Sequence, residues 1–244
     1  MKKYNFFIKQ VKYDFLIFFR EPFFAFPILI LPAIFFVIFT SSFIQTGQIN
    51  NVSSYIPTYA LLISYLTIFF NIGLQSVADR ELGIYKRIIV SPVNIFFIVG
   101  TYIFRGTIIS LVGLFEILYI GKFIYKTPIN GNVLLLIVTF LILSSILLLV
   151  SLTFHGFFKN SRQVFPFTIF SFQYVLFATG LIIPIGNLPV LFQWLVYINP
   201  IYYMNEVLLA VWKNNSIGVV NVTALLITVV VCVYLLLVQR KMER

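Results

Sequence analysis

Five charged side chains, Asp79, Arg80, Glu81, Lys86 and Arg87, fall within nine residues of a 244-residue chain in which only 10% of residues are charged. The run DRELGIYKRIIVSP (Asp79 to Pro92) is wedged between two long apolar segments, so its charges must stand outside lipid. A soluble partner could push on a membrane-embedded chain there. Arg105 and Glu116 differ, because both lie inside one apolar segment. Being 11 residues apart they share a helix face but sit roughly 16 Å apart along the axis, so they cannot pair within that helix. An ionisable side chain inside a membrane segment marks a functional position by default.

Most familiar chemistry is missing. With one histidine (His155) and one cysteine (Cys232), a metal site of those ligands is not expected. Glu116 is the one acid within an apolar segment, which leaves no carboxylate pair for acid–base work. Ser144 and Ser145 have no histidine or lysine nearby to activate them. Gly121-Lys122 is followed by Phe123, with no glycine five residues before Gly121, so there is no phosphate-binding loop. The chain is therefore expected to be no enzyme, to bind no cofactor itself and to be unable to hydrolyse ATP. Uphill movement of a solute would need energy from another subunit.

The elements that must position these residues are apolar and long. The chain is 61% hydrophobic with a mean hydropathy of +1.02, against about 45–50% apolar residues in a soluble domain. Six segments, near 24–44, 55–77, 93–120, 132–154, 164–184 and 218–238, approach the roughly 20 residues needed to cross a bilayer. The expected fold is an all-α integral membrane protein, one domain over 1–244 with six transmembrane helices and no room for a globular unit.

The net charge of +10 reports topology rather than a nucleic-acid partner. With the N-terminus inside, Lys2, Lys3, Lys9, Lys12, Arg20, Arg80, Lys86, Arg87, Lys159, Arg162, Arg240, Lys241 and Arg244 fall on the cytoplasmic side. Lys122, Lys126 and Lys213 fall outside, a bias of 13 to 3 that the positive-inside rule requires. A multi-pass protein of the cell membrane with both termini in the cytoplasm follows. Residues 1–21 carry seven charges and no apolar core of the kind a cleavable signal peptide has.

Residues 2–19 show helical periodicity, with Tyr4, Phe7, Ile8, Val11, Phe15 and Phe18 on one face and Lys2, Asn5, Lys9 and Lys12 on the other. Such a helix over 1–20 lies in the membrane interface. The loop His155–Gln163 is a second basic turn, where His155 reads as a boundary residue. In the fifth segment, Gln173 and Tyr174 would be better satisfied facing a cavity than lipid. Pro184, Pro189 and Pro200 divide Ile183–Trp212 into two pieces too short to span, read as re-entrant or interfacial helices on the outer side. Trp194, Tyr197, Tyr202, Tyr203 and Trp212 suit an aromatic belt at the headgroups.

In three places the chain resembles the ABC-2 type permeases, the membrane subunits of a class of ABC exporters. These are the amphipathic start leading into Arg20-Glu21-Pro22, the charged run after the second segment, and Gly180–Ala210 before the last. In the run, Asp79, Arg80, Glu81, Gly83, Arg87 and Pro92 fit the family pattern, while Tyr85-Lys86 departs from it. In the third place Pro184, Asn187, Pro189, Trp194, Asn199, Pro200, Tyr202 and Glu206 stand where the pattern expects them. The resemblance implies two permease subunits, identical or related, on two cytoplasmic ABC ATPase subunits that hold ATP and Mg. It makes 79–92 a coupling helix in contact with the ATPase. Solute would pass between the subunits along the second and fifth spans, with Asn71, Gln75, Gln173 and Tyr174 lining the path. The 187–212 helices, with Asn187, Pro189, Asn199, Pro200 and Glu206, would form an outer gate. The expected function is ATP-driven export of a hydrophobic or amphipathic compound, such as a drug, a peptide antibiotic or a lipid-like molecule. Export of a lipid-linked polysaccharide and a non-transport sensor or assembly role are the alternatives.

Overall fold

The computed structural model describes residues 9, 11–13, 15, 16, 20, 22–45, 52–84, 87, 95–127, 132–178 and 189–242. Most of the 1–20 stretch, the end of the fifth segment, Pro92 and Asn187 lie outside the described residues. The chain is all-helical, with no strand among the described residues. The helices are α1 (Pro22–Gln45), α2 (Ile56–Tyr65), α3 (Gly73–Glu81), α4 (Ile95–Phe123), α5 (Val133–His155), α6 (Ser161–Ala178), α7 (Val190–Ile198), α8 (Pro200–Trp212) and α9 (Val219–Met242). A 3-10 turn (Val52–Tyr55) leads into α2, and a π-helical stretch (Leu66–Ile72) joins α2 to α3, making one continuous second helix. Among the described residues, four stretches are long and apolar enough to cross a membrane: Val52–Glu81, Gly100–Phe123, Val133–His155 and Val219–Gln239. A shorter apolar run covers Phe26–Ser42. This is a multi-pass membrane protein.

Local chemistry sets the helix ends. Asn132 caps α5 by accepting from Leu135 N at 3.1 Å, and Asn199 caps α8 by accepting from Ile201 N at 3.0 Å. Pro200 occupies the first position of α8, where its missing N–H costs nothing.

The second helix is the centre of the bundle. Every residue from Ile56 to Phe69 is buried, packed mainly between α4 and α5. Three side-chain-free positions on one face of α4 permit this. A methyl group at Gly106, Gly113 or Gly121 would come within 2.5 Å of Ile72, 2.3 Å of Ile63 or 2.7 Å of Ile56, respectively. In a membrane such close backbone approach supplies packing that the hydrophobic effect cannot. Gly106 and Gly113 are seven residues apart, about two turns of α4. Their partners Ile63 and Ile72 are nine apart, and the wide π turn takes up the difference.

By contrast α9 is largely exposed along its length. It is held to the bundle by Gln239, whose amide donates to Thr153 O at 2.9 Å, and by its contacts with α5 and α8.

Candidate functional site

The charged turn is built at the end of α3. The apolar part of the second helix ends at Val77, and Glu81 lies beyond it, exposed. Gly83 adopts a φ of +68°, a conformation that costs glycine little and other residues strain, just past the end of α3. A new helical turn begins at once, since Ile84 and Arg87 are helical and Arg87 N donates to Gly83 O at 3.2 Å.

This turn is fastened to the loop between α5 and α6. Glu81 Oε2 accepts from both Ser161 N, at 2.8 Å, and Ser161 Oγ, at 2.6 Å. These two bonds, aided by the nearby Arg162, hold the Glu81 carboxyl below its ordinary range. Arg80 donates to Gly156 O at 3.0 Å. Arg87 is exposed.

A polar stripe runs from this turn into the bundle. Asn71, Gln75 and Asp79 are spaced four apart, on one face of the second helix, toward α4. The Arg105 guanidinium, buried to 1% exposure, donates to Gln75 Oε1 and, at 3.4 Å, to Asn71 Oδ1. One turn away, the Tyr102 hydroxyl donates to the Asp79 carboxylate. The guanidinium carbon also lies 5.8 Å from the centre of the Tyr102 ring. Arg105, too far along α4 to pair with Glu116, therefore reaches across to the second helix.

Between α1, the second helix and α6 lies an open recess of about 310 Å³, lined by Pro27, Ile28, Leu31, Leu66, Phe70, Phe165 and Phe172. None of these side chains carries a polar group. Phe70 and Phe165 meet edge to face, with ring centres 6.3 Å apart. Gln173, next to Phe172, is exposed, whereas the Tyr174 hydroxyl donates to Leu195 O on α7.

The helices before the last span hold the remaining candidates. Pro189 precedes α7 and is exposed. Asn199 and Pro200 form the junction of α7 and α8, with Asn199 buried at 2% exposure by its capping role. Glu206 is half-buried on α8, near Tyr202 and Lys213. Trp194 is 66% exposed, as a belt residue should be, but Trp212 is 3% exposed and donates its indole N–H to Ser53 Oγ at 2.8 Å. Trp212 is thus a core residue that ties α8 to the start of the second helix.

His155 is likewise no boundary residue. It is fully buried, with Nδ1 2.8 Å from Ser151 O and Nε2 3.3 Å from Thr168 Oγ1, between the Phe69 and Phe167 rings. Among the described residues no group of three or more His, Cys, Asp or Glu side chains converges in a way that could hold a metal.

Sequence reasoning did not single out Ser161, Gly156 or Tyr102. A serine opening an apolar helical run is a recognisable start signal, but its carboxylate partner lies 80 residues away and only the fold brings it there.

The chain shares 24% identity over 169 residues with the protein described as "Probable multidrug ABC transporter permease YbhR" in two Escherichia coli strains. That match covers 68% of this chain and 45% of the relative, so the chain spans less than half the length of the curated proteins it matches. No solved structure gives a significant match. A profile of the ABC-2 type transporter family matches residues 7–213, which places the charged turn, the polar stripe and the apolar recess all inside the matched region, and the chain belongs to that family.

Proposed function

We propose that this chain is the membrane subunit of an ATP-binding cassette exporter that moves a hydrophobic or amphipathic compound out of the cell. A separate ATPase subunit would hold ATP and Mg and supply the energy. Six spans would cross the membrane, with both termini in the cytoplasm and the 187–212 helices at the outer side. The 79–92 segment would dock on the ATPase, and two permease subunits would enclose the path.

The observation that carries the reading is the apolar recess, walled by aromatic and aliphatic side chains from α1, the second helix and α6. A pocket of this size and lining suits a compound that partitions from the bilayer. It suits a hydroxyl-rich glycan less well, because buried sugar hydroxyls would have no partner there. The charge bias along the sequence supports the orientation. The reading also agrees with the name of the E. coli relatives, which describes multidrug permeases.

Affinity co-purification of the tagged chain from its own membranes, followed by an ATPase assay, tests the reading. Wild type is expected to bring down a nucleotidase, and Arg87→Glu, which reverses an exposed charge on the coupling segment, is expected to release it. If wild type captures no nucleotidase, the exporter reading fails.

A further inference from the structure

Two turns far apart in sequence meet at one junction. The bonds from Ser161 to Glu81 and from Arg80 to Gly156 O bridge 80 and 76 residues and fasten the charged turn to the start of α6. Ser161 opens α6, where backbone N–H groups have no partner within the helix and the dipole favours a negative charge. The Glu81 carboxylate supplies both. Phe165 follows one turn later and Phe172 about three turns later, some 6 and 16 Å along the axis, and both face the recess. His155 holds the same helix through Thr168, between those two rings. A line of bonded and packed groups thus connects the charged turn to one wall of the recess, although Pro166 removes one backbone bond of α6 just beyond Phe165.

We propose that Glu81 and Ser161 are positioning residues that carry displacement of the charged turn into α6, and through it into the wall of the recess. The proposal rests on the exporter reading above and assigns Glu81 a task other than gripping the ATPase. The two tasks have different consequences. Loss of a gripping residue releases the ATPase, whereas loss of a transmitting residue leaves the ATPase bound but silent toward the recess. Arg87, exposed one turn beyond, is left for docking.

The test uses the chain with its ATPase in lipid vesicles, in a Cys232→Ala background that removes the native thiol. A bimane label on Phe165→Cys reports the environment of the recess wall. In this parent complex a non-hydrolysable ATP analogue is expected to shift bimane emission. Ser161→Ala is expected to reduce that shift about tenfold, within the usual range of coupling between sites, with the ATPase still bound. Ser161→Thr keeps the hydroxyl and is expected to preserve the shift. Glu81→Ala, which removes the acceptor of both bonds, is expected to reduce it at least as far as Ser161→Ala, and the double variant to lose no more than Glu81→Ala alone, as for groups acting through one contact. A full shift in Glu81→Ala, which loses both bonds, or release of the ATPase by Ser161→Ala, overturns the proposal. So does a parent complex that binds ATPase yet shows no shift, and that result leaves the exporter reading standing. A parent chain that binds no ATPase removes the exporter reading and this proposal together.

Discussion

The guanidinium of Arg105 and the amide oxygen of Gln75 are hydrogen-bonded across the contact of α4 with the second helix, with Asn71 taking a further, longer bond. Two of the bonds that hold this buried arginine therefore come from side-chain amides of the second helix. Removing it would strand two polar groups inside the bundle. Arg105→Ala should lower stability by about 1–3 kcal/mol, the penalty for orphaned buried partners, read as a fall in thermal unfolding midpoint in detergent. Both bonds leave one terminal nitrogen, Nη2, and Arg105→Lys should recover only part of the loss, since the ammonium is more strongly hydrated and costs more to bury. An unchanged midpoint in Arg105→Ala would contradict the bonding described.

Gly73 lies against His155 so closely that a methyl group there would come within 2.4 Å of the imidazole. The ring cannot easily retreat, being bonded at both nitrogens and flanked by Phe69 and Phe167. Gly73→Ala should destabilise by about 1–3 kcal/mol through overpacking. Adding His155→Ala should remove most of that extra penalty, and thermal unfolding of the two singles and the double would show it as non-additivity.

At Gly83 the constraint is the backbone alone, because a methyl group there would have no neighbour within 4 Å and φ is +68°. Gly83→Ala should cost about 1–2 kcal/mol at the turn. Gly83→Asn should be milder, since asparagine visits this conformation more readily. Weaker ATPase capture by the alanine variant than by the asparagine variant is the expected order.

Leu31→Trp places a large ring in the recess, whose volume is about 310 Å³. Chain expression and unfolding midpoint should change little, because the recess is open and its near wall can accommodate the ring. Binding of a lipophilic fluorescent dye should fall about tenfold if the dye uses this pocket, which corresponds to about 1.4 kcal/mol. Unaltered dye binding would move the cargo site elsewhere.

The Glu81–Ser161 contact should respond to acid in one direction only. The carboxyl titrates below its ordinary range in the folded chain, so the contact favours the charged form and is complete above that range. It is lost as pH falls through the lowered value. Hydrogen exchange at the Ser161 amide should accelerate on acidification beyond the intrinsic rate, and Glu81→Gln should remove that dependence. Exchange independent of residue 81 would count against the bond.

The sequence made the membrane class and the charged turn legible for simple reasons. Long apolar runs and dense charge are local properties, and Asp79, Glu81 and Gly83 carry their meaning within a few residues. Asn199 and Pro200 were read as family markers and prove to have a local physical task as cap and first residue of α8. Tertiary pairing was not legible. Nothing near Arg105 in the sequence points to Gln75, and nothing near Trp212 points to Ser53. The buried His155 escaped for the same reason, since its burial depends on the absent side chain of Gly73 on another helix.

The wide turn at Leu66–Ile72 also sets the bearing of everything beyond it. Because Ile63 and Ile72 are nine residues apart yet match positions seven apart on α4, the two halves of the second helix are out of phase, as across a dislocation in a crystal row. Deleting one residue here would let the helix regain its regular pitch at little cost in backbone bonding. It would also swing Asn71, Gln75, Asp79 and the charged turn by about 100° around the axis, away from Tyr102, Arg105 and Ser161. The length of this segment is fixed by direction rather than by strength, and a compass error at its centre would leave the helix intact while the machine points the wrong way.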